Sequence, residues 1–260
     1  MRRLTTILAI FFLSLFIANC QQIELSDIAL YSDEGAVESC IKASKNMFEW
    51  MGYSVKLVTS DYINNENLDN FSIICFPGGD MYQYSQDISS PGKEKIRNFI
   101  SDGGGYIGIC GGAYFTGEKV FWQGSQLPME PLAIFPGTTR GPIDEIAPYP
   151  YCVMCEVNII NHSNPITQNE SDSAWIQYCY GPMLLPNEDA NVEILGEYEI
   201  GDKPAIIAFE YGHGKVFIIG THPESEEDSD RDGFPPNDEM DDRGSDWDLM
   251  KKATEWCLQK

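Results

Sequence analysis

The chain is short of positive charge. Seventeen lysines and arginines stand against 40 acidic residues, a net charge of −23 over 260 residues, which excludes nucleic acids and anionic membrane surfaces as partners. The same imbalance leaves divalent cations as suitable ligands. Histidine is scarce: His162, His213 and His222 are the only three, so an imidazole base must be one of them. A single C-x-x-C, Cys152 to Cys155, has no second copy to complete a zinc site. No internal repeat and no linker divides the sequence, and with 43% apolar residues it is long enough to bury a substantial core as one domain. Its longest apolar run, residues 4–18, is too short for a comfortable membrane span.

That run reads as part of an export signal over residues 1–22, which leaves residues 23–260 as a single domain. Arg2 and Arg3 supply a positive start, and Gln21 and Gln22 a polar exit. Ile17-Ala18-Asn19-Cys20 resembles the lipobox of bacterial and archaeal lipoproteins, in which the cysteine becomes the lipidated first residue; Asn19 replaces the small residue usual before it. The expectation is an extracytoplasmic protein that meets a membrane only through this anchor. Cleavage nearby without lipid, or an uncleaved anchor, is the alternative. In an oxidising compartment some of the eight cysteines can pair. Cys152 and Cys155 fall in a stretch that reads as a strand, where positions three apart point to opposite faces, and one of them could pair with Cys179. Cys40 and Cys75 read as ordinary core thiols.

Apolar runs at residues 28–31, 53–58 and 71–76 read as strands. Val37, Cys40, Ile41, Ser44, Met47, Phe48 and Met51 recur at helical spacing before Gly52. Ser90 and Pro91 open another helix, with Ile96, Phe99 and Ile100 on its apolar face. Strands that are apolar throughout and alternate with helices predict an α/β fold with a parallel sheet covered on both faces. Residues 121–180 lack a clear pattern, and Thr138-Thr139-Arg140-Gly141-Pro142 reads as a turn-rich loop. Residues 192–198, 205–209 and 215–220 read as three more strands, with Tyr211-Gly212-His213-Gly214 as a hairpin turn. Ser245 caps a last helix, and Asp248 completes a capping-box pattern.

One stretch places a reactive side chain at a tight corner. Gly103, Gly104 and Gly105 release the chain from a helix, Tyr106-Ile107-Gly108-Ile109 reads as a buried strand, and Cys110 sits where Gly111-Gly112 must turn it. G-x-C-G-G is the thiol counterpart of the G-x-S-x-G elbow, and Cβ atoms at Gly108 and Gly112 would collide across such a turn. The amino end of the following helix favours a thiolate there. A buried cysteine among structural glycines is the plainer alternative. A thiol nucleophile needs a base, and the base needs an orienting group. His162 lies in a polar loop and His213 in a hairpin turn, whereas His222 follows the apolar run of residues 216–221, and functional groups of parallel sheets gather at the carboxyl ends of strands. Glu224, two residues on across Pro223, can reach the far ring nitrogen.

Gly108-Ile109-Cys110-Gly111-Gly112 with a late His222-Pro223-Glu224 resembles the class I glutamine amidotransferase-like superfamily. Pro77-Gly78-Gly79-Asp80, residues 108–115, residues 135–142, Tyr180-Gly181-Pro182 and residues 220–224 resemble more closely the family named for the amino-terminal domain of biotin-protein ligase. The resemblance spans nearly all of the chain after the signal. It implies a flavodoxin-like three-layer α/β/α sandwich with a mostly parallel central sheet, Cys110 as nucleophile, His222 as base and Glu224 as orienter. It further implies an oxyanion hole from the Gly79 and Gly111 amides. Asp80, Tyr114, Arg140, Tyr178 and Tyr180 are the expected substrate pocket. Tyr114 stands where glutamine-hydrolysing members usually carry Gln, so glutamine is not the expected substrate; Gly111 stands where the related protease and deglycase branch carries His, so the resemblance to that branch is weaker. Neither biotin transfer nor an ATP-using synthetase domain is expected in this chain.

Residues 228–239 fit D-x-D-x-D-G-x5-E, with Asp228, Asp230, Asp232, Phe234 and Glu239 at calcium-ligand positions and Gly233 at the bend. Pro235 departs from the usual loop, and no helix is visible before Asp228. A structural Ca2+ pinning the segment after Glu224 is the expectation, a solvated acidic loop the alternative, and no organic cofactor is implied. Together these readings predict an exported thiol-dependent hydrolase or amidase-like enzyme acting on a small-molecule or peptide-like carbonyl substrate. A non-catalytic ligand-binding module on the same fold is the alternative, and a glutaminase-type amidotransferase subunit the third.

Overall fold

A computed structural model of the protein describes residues 27–226, 229–233, 240 and 243–259. The export segment with Cys20, and Asp228, Phe234 and Glu239 of the acidic loop, lie outside the described residues. In chain order the elements are β1 (Ile28–Tyr31), α1 (Glu38–Trp50), β2 (Val55–Val58), α2 (Ser60–Asn65), β3 (Ile73–Phe76), α3 (Met81–Asp87), α4 (Ser90–Ser101), β4 (Gly105–Ile109), α5 (Gly111–Thr116), β5 (Gly117–Trp122), β6 (Ser125–Gln126) and β7 (Phe135–Gly141). There follow β8 (Val153–Ile159), β9 (Ser173–Tyr178), β10 (Met183–Pro186), β11 (Glu193–Tyr198), β12 (Pro204–Tyr211), β13 (Gly214–Ile219) and α6 (Trp247–Leu258). Short polar side chains start three of the helices: Thr59 caps α2, Asp80 caps α3, and Ser89 accepts from the Gly92 amide at 3.2 Å to cap α4; α6 has Asp246, not the expected Ser245, at its N-cap and no side-chain cap there. None of the described helices is long and apolar enough to cross a membrane.

Nine strands form the central sheet in the order β2-β1-β3-β4-β13-β12-β11-β8-β9. Every pairing from β2 to β13 is parallel, and every pairing from β13 to β9 is antiparallel. Alternate residues of each parallel strand enter two separate cores. Ile28, Ile73, Ile107 and Phe217 pack with α1 and α6, whereas Ala29, Ile74, Tyr106 and Val216 pack with α2 to α5. This is the two-residue period of a strand buried on both faces, and it explains why β1, β3 and β4 carry no charged residue. The outcome is the expected three-layer α/β/α sandwich. A second sheet, β10-β7-β5-β6, joins the second core through Val120, Phe135 and Leu184.

Residues 138–142, read from sequence as a turn-rich loop, instead continue β7 as far as Gly141, paired with both β5 and β10. Threonine conceals the strand, because Thr139 is fully buried only by virtue of its hydroxyl donating to the Tyr114 carbonyl at 2.9 Å. The antiparallel half also coils. In a flat sheet β9 and β13 would stand about 19 Å apart, four strand spacings, yet the His222 amide just beyond β13 donates to Gln177 O in β9 at 2.8 Å. That fold-back brings residues 177–181 over the ends of the parallel strands.

Candidate active site

The site forms where β4 and β13 end side by side. Ile109 is paired with Ile219 in parallel register, so the chain leaves both strands at one edge of the sheet. Cys110 follows β4 directly, and its amide donates to Ile219 O at 2.9 Å, fastening the bend to the strand that carries the histidine. Cys110 turns with φ 47 and ψ −100, a left-handed φ that a residue with a Cβ rarely adopts and that costs energy. It is 4% exposed, and its thiol donates to the Cys179 carbonyl at 3.6 Å. A Cβ at Gly108 would lie 2.8 Å from Gly112 O, and one at Gly112 would lie 2.0 Å from Phe76 O. The crowding expected at the bend is present, although for Gly112 it comes from β3.

His222 is 5% exposed, and its Nδ1 lies 2.9 Å from Glu224 Oε1. Glu224 is itself fully buried, held by the indole N–H of Trp247, which donates to its backbone carbonyl at 3.1 Å. Burial, the largest effect, works against an imidazolium, but interactions with Cys110, then Glu224 and Cys40, outweigh it and hold His222 well above the usual imidazole range. A raised folded-state value means the charged ring contributes stability that is complete below about pH 6.5 and is lost as pH rises through the folded value. The melting temperature of the native chain is therefore expected to exceed that of His222→Gln most below that pH, with the gap closing toward alkaline pH. A gap that widened with pH would contradict this assignment of charge.

Gly79 and Gly111 lie against each other across the bend: a Cβ at Gly111 would come within 2.2 Å of Gly79 O and 2.6 Å of Gly79 N. The Gly111 amide opens α5 and so has no intrahelical acceptor. Gly79 forms an isolated antiparallel bridge with Ala36, whose two hydrogen bonds are made by the Val37 and Asp80 amides, which leaves its own N–H outside the bridge. Gly78 is packed as tightly on the other side, since a Cβ there would lie 2.5 Å from His222 Cε1 and 2.8 Å from Cys40 Sγ.

Cys110, Cys40 and His222 open onto a cavity of about 770 Å³. One wall is aromatic: Trp122 meets Tyr114, Tyr149 and Tyr180 at ring separations of 5.8, 5.7 and 6.3 Å, and Tyr149 meets Tyr180 at 5.1 Å. Of the expected pocket residues, Asp80, Tyr114 and Tyr180 line this cavity. Tyr178 does not; it is fully buried behind it, its hydroxyl accepting from the Ile143 amide at 2.6 Å and donating to Gly181 O at 3.1 Å. Arg140 does not either. Strand alternation turns Thr139 inward and Arg140 out to solvent, where its guanidinium lies 4.9 Å over the Phe121 ring. A second cavity, of about 520 Å³ beside Phe71, Pro91 and Gly104, contains none of these residues.

Two features escaped the sequence reading, and a pairing it left open is now assigned. Cys40, read as a core thiol, lines the cavity with its sulfur 3.7 Å from His222 Nδ1; helical spacing shows which face of α1 is buried but not what that face meets. Burial pushes its thiol up, an effect that His222 partly offsets. Trp122 and Tyr149 lay in the unpatterned region. Cys152, just ahead of β8, is bonded to Cys179, and this disulfide forms part of the cavity wall, while Cys155 is a free buried thiol. Of the expected calcium ligands, Asp230 and Asp232 are described. The Asp232 carboxylate accepts from the Glu226 amide at 3.2 Å, and Arg231 between them pairs with Glu226 and lies 4.1 Å over the Trp247 ring.

A doubly covered sheet with a cysteine bend and a histidine–carboxylate pair at the ends of adjacent parallel strands is a class I glutamine amidotransferase-like architecture. Within it, the chain belongs to the family described as "Biotin-protein ligase, N terminal", whose sequence pattern matches residues 26–251. It is 23% identical over 214 residues to the biotin–protein ligase of Schizosaccharomyces pombe (strain 972 / ATCC 24843), covering 76% of this chain and 33% of the ligase. The chain thus spans about a third of that relative's length. A protein of Chlamydia muridarum (strain MoPn / Nigg) described as uncharacterized is 24% identical over 209 residues, covering 76% of this chain and 80% of its own. Among solved structures, PurLQS from Thermotoga maritima matches with a TM-score of 0.62 at 16% identity, covering 89% of this chain and 99% of that one. That likeness is one of fold.

Proposed function

We propose that the chain is an exported thiol-dependent hydrolase of amidase type. Cys110 attacks a carbonyl carbon as the thiolate whose proton the His222 imidazolium holds; the imidazolium passes that proton to the leaving nitrogen or oxygen, and water, deprotonated by the neutral ring, then cleaves the thioester and returns the proton. Glu224 holds the ring throughout, and the Gly79 and Gly111 amides face the oxyanion. The observation that supports this reading is that Cys110, on its left-handed bend, interacts with His222, whose Nδ1 lies 2.9 Å from Glu224 Oε1. No lysine or arginine among the described residues lines the cavity, and its aromatic wall suits a carbonyl compound that carries a flat or apolar group and no strong negative charge.

The test is acylation itself. Activated esters of uncharged arylacetic acids, incubated with the purified domain, are expected to leave an acyl mass on the peptide containing Cys110, and anionic analogues of the same size to leave far less. Ligand binding by the cavity with no acyl adduct from any ester would transfer the chain to the binding-module reading.

The same proposal places the chain outside the cytoplasm, cut or lipidated at Cys20. The Cys152–Cys179 bond supports it, since disulfides persist in oxidising compartments. The mass of the mature amino terminus, with or without lipid on Cys20, decides this. A structural Ca2+ in the acidic loop is expected to raise the melting temperature at about millimolar calcium. Titration with neither heat nor thermal shift would remove the ion.

A further inference from the structure

His222 has a second set of donors around the nitrogen that Glu224 holds. Cys40 Sγ lies 3.7 Å from Nδ1 and Glu224 Oε1 lies 2.9 Å from it; the three donor atoms fall within 4.8 Å of one another. One of the three sits on α1 and the other two follow β13, so the cluster joins two elements of the sandwich. Glu224 Oε2, in a fully buried side chain, has no hydrogen-bond partner among the described residues. A buried carboxylate oxygen in that state carries a desolvation cost that a cation would relieve.

We propose that Cys40, His222 through Nδ1, and Glu224 form a binding site for a borderline-soft divalent ion of the Zn2+ type, with its fourth position open to the cavity that Cys40 and His222 line. One thiolate, one imidazole and one carboxylate make up a three-ligand zinc centre that solvent completes. Tetrahedral donors at zinc bond lengths stand about 3.3 to 3.6 Å apart; Cys40 Sγ and His222 Nδ1 meet that spacing within about 0.1 Å, Glu224 Oε1 must draw back from Nδ1 by about half an ångström, and Cys40 and Glu224, within 4.8 Å of each other, must close by up to about 1 Å. Binding releases the proton of the Cys40 thiol and that of Nδ1, so affinity rises with pH. Calcium, which selects oxygen donors, does not compete. Because the ion takes the Nδ1 that Glu224 otherwise orients, metal binding and acid–base use of His222 are mutually exclusive, which makes zinc a reversible inhibitor. Only this last consequence rests on the proposed thiol chemistry.

The experiment uses the metal-free Cys110→Ala chain, which keeps all three donors and lacks the thiol at the bend. Zn2+ is expected to bind at one equivalent, and Co2+ in its place to give a thiolate-to-metal charge-transfer band. Cys40→Ser in the same background is expected to weaken binding by roughly 100-fold and abolish the band, since even loss of a group supporting a ligand costs roughly 10- to 100-fold. Zn2+ should also protect Cys40 from alkylation in the chain with Cys40 intact, a readout that needs no substitution there. Absence of stoichiometric binding overturns the proposal, as does binding that survives Cys40→Ser with Cys40 still open to alkylation. Failure of every acylation assay with this binding intact would sink the hydrolase reading and leave the metal site standing.

Discussion

Replacing His222 by glutamine is expected to slow alkylation of Cys110 by iodoacetamide at neutral pH by roughly 100-fold or more, the usual contribution of a positioned base. The other free thiols supply an internal standard. Burial pushes Cys155 up to about 12 and pushes Cys75 and Cys257 well up too, so they stay inert in the folded chain with or without the imidazole. Cys40, whose thiol burial also pushes up, is the one other free thiol lining the cavity among the described residues. Mass spectrometry of the alkylated peptides is therefore expected to show one fast site in the native chain and none in His222→Gln, at equal far-ultraviolet circular dichroism. Uniform slow labelling of every cysteine in the native chain would remove the basis for assigning Cys110 as nucleophile.

Gly111→Ala is expected to separate the thiol from the groups that face the oxyanion. The new Cβ would stand 2.2 Å from Gly79 O and 2.6 Å from Gly79 N, both backbone atoms that cannot rotate aside, so the two amides must move apart. Overpacking of this kind costs about 1–3 kcal/mol of stability, which the folded chain should survive at room temperature. Loss of one oxyanion donor lowers acyl transfer by roughly 100- to 1,000-fold. Acylation of Cys110 by an activated ester should fall by that factor while its alkylation, which develops no oxyanion, changes only a few-fold. Equal losses in both reactions would mean that the substitution had displaced Cys110 itself, and no loss in either would exclude Gly79 and Gly111 from the site.

The residues that proved hardest to read lie where long-range contacts override local pattern. Thr138, Thr139 and Gly141 look like turn residues, and become a strand because β5 and β10 supply partners on both sides. Arg140 is the lone cation of that stretch and an obvious substrate ligand until strand alternation turns it to solvent. Tyr178 and Tyr180 are neighbours in sequence with different fates, one a buried support for Ile143 and Gly181, the other a wall of the cavity. Trp122 and Tyr149 come from separate segments, and nothing local marks them as partners.

Local chemistry by itself settled the doubly buried strands, the helices α1, α4 and α6, and the glycine bend that sets Cys110 in a backbone conformation few side chains accept. Each of these depends on spacing and sterics within a few residues. The position of His222 after an apolar run singled it out in the sequence, but only the tertiary structure sets it beside Cys110, because β4 lies beside β13, a pairing between strands far apart in the chain. Tertiary structure also decided that Cys40 shares His222 with Glu224, and that the antiparallel half coils back to enclose them. Such contacts come from closure of the whole sheet, whose free energy is spread over two cores and is written in no single stretch of the sequence.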